Sequence, residues 1–414
     1  MKKRLLLTLV AGLVVSLTLW GTALAQSTVR IGTYSMPRYE VLTETLLPKW
    51  REKYPDIQIE VELFANTSDM QNKLTVALGT DLVPDLVDTA GTLFFSHVVV
   101  GGVVDLAPYL ERYVDINDWL PHVVEEVRYP FGTGTGLYGL SYEWVGSVLA
   151  YNRDLFSAAG LPFPDEDWTW DDLRDAARRI ARDTSGDGIN DVWGFYMPSL
   201  DNQRFDPLVR AFGGQVLSED RRQAVFGPGA DQVLQLYIDM IHQDRSTPPV
   251  GLSAPFAQGL SGIYVGGSWE MRAVDASDIN YGVTMVPKGP VTRSIYGGSN
   301  LWVVMKRPSQ DLDAVLRILA ELVDYESVAA TSSAYNLPTR RSLIAQWELT
   351  PISEVLALSA PYMRDGEWTP DWSLWQTQKR NELTPALTLE RPIPVAIERA
   401  IEAVNRVLAE AYRE

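Results

Sequence analysis

Val29, Ile31 and Thr33 alternate with neighbouring positions in a short strand, and the alternation returns at Ile57, Ile59, Val61 and Leu63, with Glu60 and Glu62 facing the other way. Between these stretches the spacing changes. Pro37 opens a helix with Tyr39, Leu42, Leu46 and Trp50 on its apolar face, and Met70, Leu74, Ala77 and Leu78 mark a second helix. Asp85-Leu86-Val87-Asp88 reads as a third strand. The strand–helix–strand–helix–strand order predicts an α/β fold with a mainly parallel sheet covered by helices. Ligands of such sheets gather beyond the C-terminal strand ends. Tyr34 and Asp88 lie at two of those ends and are candidate ligand residues on topology.

Further along, Gly134-Thr135-Gly136-Leu137-Tyr138-Gly139 has the form G-x-G-x-x-G. It follows Tyr129-Pro130 rather than an apolar strand, and leads into an extended stretch, Leu140 to Tyr151, rather than a helix. It reads as a turn, not a dinucleotide site. Thr169 with Asp172 forms a capping-box variant ahead of Leu173, Ala176, Ala177 and Ile180 on one helix face. Helices are also expected over Gln232–His242 and Leu312–Tyr325 and after Pro394, with strands at Ile263–Val265, Tyr281–Met285 and Leu301–Met305. No Pro/Ser linker separates independent domains, which points to lobes that exchange strands.

The N-terminus changes the picture of where the protein works. Lys2-Lys3-Arg4, an apolar run from Leu5 to Leu19, and Ala23-Leu24-Ala25 make up a secretory signal peptide over 1–25, cleaved before Gln26. No cysteine is present, so the exported chain carries no disulfide and no lipobox. A periplasmic location fits best. The net charge of −17 becomes −20 once the three leader cations are removed, which argues against nucleic acid and anionic surfaces as partners. Asp183, Ser185, Asp187 and Asp191 stand near calcium-loop positions 1, 3, 5 and 9, with Gly188 at 6. Position 12 is Gly194 instead of glutamate, and an Asp/Gly turn explains the same residues. No other cofactor is indicated. Thirteen tryptophans and eighteen tyrosines supply flat faces suited to sugar rings as well as to a core.

Several segments in order resemble the family 1 extracellular solute-binding proteins of ABC importers, the group that includes maltose-binding protein. They are Leu47-Pro48-Lys49-Trp50 to Pro55, Leu74 to Asp88, Tyr151 to Phe156 with Ala159-Gly160-Leu161-Pro162, and Trp168-Thr169-Trp170. Ala211 to Gly214, Tyr264 to Trp269, Pro287 to Pro290 and Gly297 to Asn300 continue the series. The resemblance implies two doubly wound α/β lobes joined by a multi-strand hinge, the type II periplasmic-binding-protein arrangement. It divides the chain into an N-terminal lobe (26–141 plus 300–330) and a C-terminal lobe (142–299 plus 331–414). It further implies a monomer that closes over a small-molecule carbohydrate and hands it to the permease subunits of an ABC transporter. The chain would cross between lobes near Leu140–Ser147, Ile295–Leu301 and Glu326–Tyr335.

The ligand residues follow from local chemistry and from family position. Trp269 sits on a glycine-rich turn after a strand, where an aromatic stacks on a sugar or completes the core. Glu270 can accept from hydroxyls or cap the residues after it. Asn300 both donates and accepts. Of Tyr142, Glu143 and Trp144 at the first crossing, strand alternation puts Tyr142 and Trp144 on one face and Glu143 on the other, with Tyr142 and Glu143 retained as candidates. Trp368, Trp372 and Trp375 share a face if helical, and Trp372 is the favoured platform. An exported glycoside hydrolase is the main competing class. Nothing singles out a catalytic pair among fifty-three acids, and neither G-x-S-x-G nor H-E-x-x-H occurs. A solute-binding protein for a polyamine, glycerophosphodiester, peptide or amino acid derivative is the second alternative.

Overall fold

The computed structural model describes residues 27–130, 134–196 and 200–412. The expected leader and its cleavage point lie outside them. Strand β1 (Ser27–Thr33) leads through helix α1 (Met36–Val41) and its continuation to β2 (Ile57–Leu63), then α2 (Thr67–Ala77), β3 (Leu86–Ala90) and α3 (Gly91–Val99). β1 runs parallel to both β2 and β3, as the alternation at Val29/Ile31 and Ile57/Ile59 implies. These positions are buried, while Gln58, Glu60 and Glu62 on the other face of β2 are exposed.

Helix α4 (Pro121–Glu126) precedes β4 (Leu140–Asn152), thirteen residues that are buried throughout. The glycine-rich segment ahead of β4 is a turn: Gly134 N–H donates to Pro130 O at 2.7 Å, and Gly136-Leu137 pair with Arg128-Tyr129. After β4 come α5 (Trp170–Ile180), β5 (Trp193–Tyr196), β6 (Ser261–Gly267), β7 (Tyr281–Thr284), β8 (Ile295–Val304) and α6 (Leu312–Leu322). Short strands β9 (Leu337–Pro338) and β10 (Met363–Arg364) and helices α7 (Trp372–Leu387) and α8 (Ile393–Ala411) complete the labelled elements.

The sheet order is β2-β1-β3-β8-β4-β6-β5, with β7 and β9 also on β4 and β10 on β8. Two strands belong to both halves. β4 pairs with β8 as far as Gly146 and with β6 from Ser147 onward. β8 pairs with β4 over Gly297–Trp302 and with β3 over Asn300–Val304. The change of partner on β4 falls at Gly146–Ser147, where a glycine is followed by a small side chain. Two α/β halves are thus tied by continuous strands, the arrangement expected of lobes that exchange strands. Among the described residues no helix is long and apolar enough to cross a membrane.

Three local expectations change. The helix expected over Leu312–Tyr325 stops at Leu322, because Asp324 is extended and caps a new helix, Tyr325–Thr331, accepting from Ser327 N–H at 2.8 Å. Trp368 is not on a helix with Trp372 and Trp375. Asp371 adopts a left-handed φ of 51° and α7 starts only after it. Tyr142 and Trp144 do not share surroundings. The β4–β8 register shifts between Asn300 and Leu301, and this bulge at Tyr142 breaks the alternation.

Candidate functional site

Arg38 occupies the apolar stripe that continues through Leu42 and Leu46, and its guanidinium is buried. A buried charge persists only when it is paired. Arg38 binds Asp88 through Nη1 and Glu143 Oε1 through Nη2 at 3.2 Å. Asp88 also accepts from Thr33 Oγ1 at 2.7 Å and from the Tyr142 hydroxyl at 2.8 Å. Glu143 Oε1 accepts from Asn300 Nδ2 at 2.8 Å. Its Oε2 accepts from Asn336 Nδ2 at 3.0 Å and from Ser333 N–H at 3.2 Å. Ser268, just after β6, donates to Asn336 Oδ1 at 2.6 Å. Burial opposes the charge on Arg38, but Asp88, Tyr142 and Glu143 outweigh it and raise its pKa. Burial lifts the Tyr142 and Tyr34 hydroxyls well above the usual phenol value, with Asp88 adding to the shift at Tyr34.

Four of the eight sequence candidates, Asp88, Tyr142, Glu143 and Asn300, therefore belong to one buried network, with half-buried Tyr34 beside it. Glu143 takes four donors, a full complement for a carboxylate. The network joins the ends of β1 and β3 to β4, β8 and the segment before β9, so it spans the hinge. Arg38 was not a sequence candidate. Its signal was a charged residue at a core position of an apolar stripe.

Beside the hinge is a cleft of about 640 Å³ whose lining comes from both halves. His122, Glu125 and Glu126 of α4 face Glu219, Arg221, Met363, Arg364 and Asp365, with Trp144 of β4 between them. His122 meets the Trp144 ring edge-to-face at 4.0 Å, and burial lowers its pKa to about 4. Asp365 pairs with Arg221 at 2.6 Å. Glu126 Oε2 accepts from Ser299 Oγ at 2.6 Å, and burial, then the nearby Asp365 charge, pushes its carboxyl well above the ordinary range. Of these residues sequence reasoning weighed only Trp144. The i, i+4 pair His122/Glu126 on one helix face was its available signal.

The other aromatic candidates are not among the residues that line this cleft. Trp269 is 37% exposed and meets Tyr296 edge-to-face at 6.1 Å. Glu270 is held by Arg204 Nη2 at 2.8 Å and by Gly267 N–H at 2.7 Å, so it braces the turn that presents Trp269. Trp368 is wedged between the halves, 6.4 and 6.1 Å from the rings of Phe94 and Phe95. A Cβ on Gly91 would lie 1.8 Å from its ring, so the first turn of α3 needs glycine there. Trp375 is buried and donates to Thr369 Oγ1 at 2.6 Å. Trp372 is half-buried and donates to Gly366 O at 3.0 Å. It lines a separate groove with Leu93 and His97.

The acidic loop is closed on itself. Asp191 accepts from Thr184 N–H and Oγ1 and from Ser185 N–H, at 2.6–2.8 Å. Asp183 accepts from Gly186 and Gly188 N–H and from the Ser185 hydroxyl, and Asp187 from Ile189 N–H. These bonds depress the Asp183 and Asp191 pKa values, chiefly through Gly186 N–H and the Thr184 hydroxyl respectively. Among the described residues no three His, Cys, Asp or Glu side chains converge on a metal position.

A profile described as bacterial extracellular solute-binding protein matches residues 35–325. A putative binding protein of Brucella abortus is 25% identical over 265 residues, 60% of this chain and 60% of that protein, so the match spans less than two thirds of that relative. The diacetylchitobiose-binding protein of Streptomyces coelicolor is 24% identical over 318 residues, 73% of this chain and 70% of the relative. In three dimensions the chain is similar to an ABC substrate-binding protein of Listeria monocytogenes solved in complex with cycloalternan. The TM-score is 0.79 at 19% identity, covering 93% of this chain and 99% of that one.

Proposed function

Because the chain belongs to the bacterial extracellular solute-binding protein family, we propose that it is the carbohydrate receptor of an ABC importer. It captures a di- or oligosaccharide between its halves and delivers it, unaltered, to the permease. The observation that carries this reading is the cleft itself. Its lining comes from both halves and from a strand common to them, and it includes the aromatic Trp144. A ligand that touches both walls does so fully only when they are close, so it favours the closed arrangement by its differential contacts. The sugars named for the Streptomyces and Listeria proteins support a saccharide for this cleft. In this reading the protein acts as an exported monomer in the periplasm.

The test is a thermal-shift panel on residues 26–414 with mono-, di- and oligosaccharides beside polyamines, amino acids and glycerol phosphates. A saccharide at about a hundred times its Kd adds roughly 2.7 kcal/mol and raises Tm by a few degrees. A shift with glycerol phosphates or polyamines alone would keep the family and discard the sugar.

A further inference from the structure

We propose that the cleft selects a saccharide carrying a positively charged nitrogen, and that Glu126 is the residue that receives it. This rests on the carbohydrate reading above and adds the charge class of the ligand.

The argument begins with a contrast between two glutamates. Glu143 has four protein donors and no acceptor capacity left. Glu126, on the cleft wall, has one, the Ser299 hydroxyl on its Oε2. Its Oε1 has no protein donor among the described residues. A carboxylate accepts about four hydrogen bonds, so Glu126 keeps most of its capacity for something in the cleft.

The charges around it point to a cation. Glu125, Glu126, Glu219 and Asp365 line the cleft against Arg221 and Arg364. Arg221 is committed to Asp365, and Glu125 is bridged by Arg128 on its own segment. Arg364 is exposed and donates to the carbonyls of Pro361 and Met363 at the rim. His122 lies against Trp144 and is neutral at pH 7. Glu219 is exposed to solvent, which leaves Glu126 as the half-buried carboxylate of this wall with a single hydrogen-bond donor, its nearest positive charge being that of Arg221, shared with Asp365. Burial already disfavours the charged form of this carboxyl, so an ionised Glu126 in the closed cleft is costly unless the ligand brings a cation to it. An ammonium group supplies three donors and a full charge at that point. A phosphate or carboxylate on the ligand meets repulsion there.

The experiment compares sugars that differ only by amine for hydroxyl. Titration calorimetry at pH 6.5 would measure glucosamine against glucose and the fully deacetylated chitin dimer against cellobiose, with glucose 6-phosphate as the anionic probe. The expected result is at least tenfold tighter binding of the amine member, with no detectable binding of the phosphate. Glu126→Gln, of equal size, should erase the preference for the amine member. If Glu126→Gln does not fold, the wild-type amine/hydroxyl ratio decides alone. Equal or tighter binding of the neutral sugars, or a preference that survives Glu126→Gln, overturns this inference and leaves the receptor reading standing. Binding of spermidine but of no sugar in either form overturns both.

Discussion

Arg38 and Glu143 are 105 positions apart in the chain, and their side chains meet at 3.2 Å in the hinge, out of contact with water. Asp88 shares the same guanidinium. One cation thus holds two buried carboxylates, one from the end of β3 and one from the strand that passes between the halves. Tyr142 and Thr33 also donate to Asp88, and Asn300, Asn336 and Ser333 complete the four donors of Glu143.

Replacing Arg38 by Met should leave both carboxylates buried without a counter-ion. A loss of about 3–5 kcal/mol is expected, measured as a lower urea midpoint. A loss below about 1 kcal/mol would mean the network contributes little.

Trp368 should respond to the smallest possible change in the helix it packs against. Gly91→Ala puts a methyl into its ring, and the indole must move. A destabilisation of roughly 1–3 kcal/mol is expected, with red-shifted tryptophan emission as the wedge becomes exposed. Unchanged emission and Tm would show that the halves are not packed through this contact.

Glu367 should give folding a pH slope. Burial raises its carboxyl to about 7 despite the pull of Arg210. The folded pKa lies above the unfolded one, so the native state binds more protons between about pH 4.5 and 7. Stability therefore falls as pH rises through that window and is level above it, by roughly 1–3 kcal/mol. Urea midpoints at pH 5 and 7.5 should differ in that direction, and Glu367→Gln should remove that part of the difference.

His122 should behave in the opposite sense. Its pKa of about 4 lies below the unfolded value, so its contribution is present near neutral pH and is lost as pH falls from about 6.5 to 4. Histidine C–H resonances followed by NMR, with His122→Gln for assignment, should show one midpoint near 4. A midpoint near 6.5 would place the ring in water, away from Trp144.

The acidic loop offers a direct check. With Asp183 and Asp191 engaged by backbone N–H groups, millimolar calcium is expected to leave Tm unchanged. A rise of several degrees, reversed by EDTA, would show that the loop opens to bind the ion.

Much of the fold is legible in the chain because local pattern and tertiary burial agree. Val29/Ile31 against Ile57/Ile59 gives the parallel pair, and Thr169/Asp172 forms the capping box that its spacing announces. The site is less legible, for reasons that are physical. Alternation places Tyr142 correctly only while the register holds, and a bulge is set by pairing with β8, not by local sequence. Trp368 separates from Trp372 because Asp371 takes a left-handed conformation that a tryptophan spacing of four does not reveal. Glu126 and Asp365 lie far apart in sequence and face one cleft only through the strand crossing. Trp269 stood out because glycines and an aromatic carry their own signal. It remains the candidate with the most exposed aromatic side chain.

The most direct measurement is calorimetric titration of wild type and Trp269→Ala with the saccharide that gives the largest thermal shift, followed by recovery of the sugar. The account predicts one site per chain, a loss of about 1–3 kcal/mol in binding on Trp269→Ala with Tm nearly unchanged, and intact saccharide at the end. Saccharide binding that ignores Trp269, or sugar recovered cleaved, would contradict it.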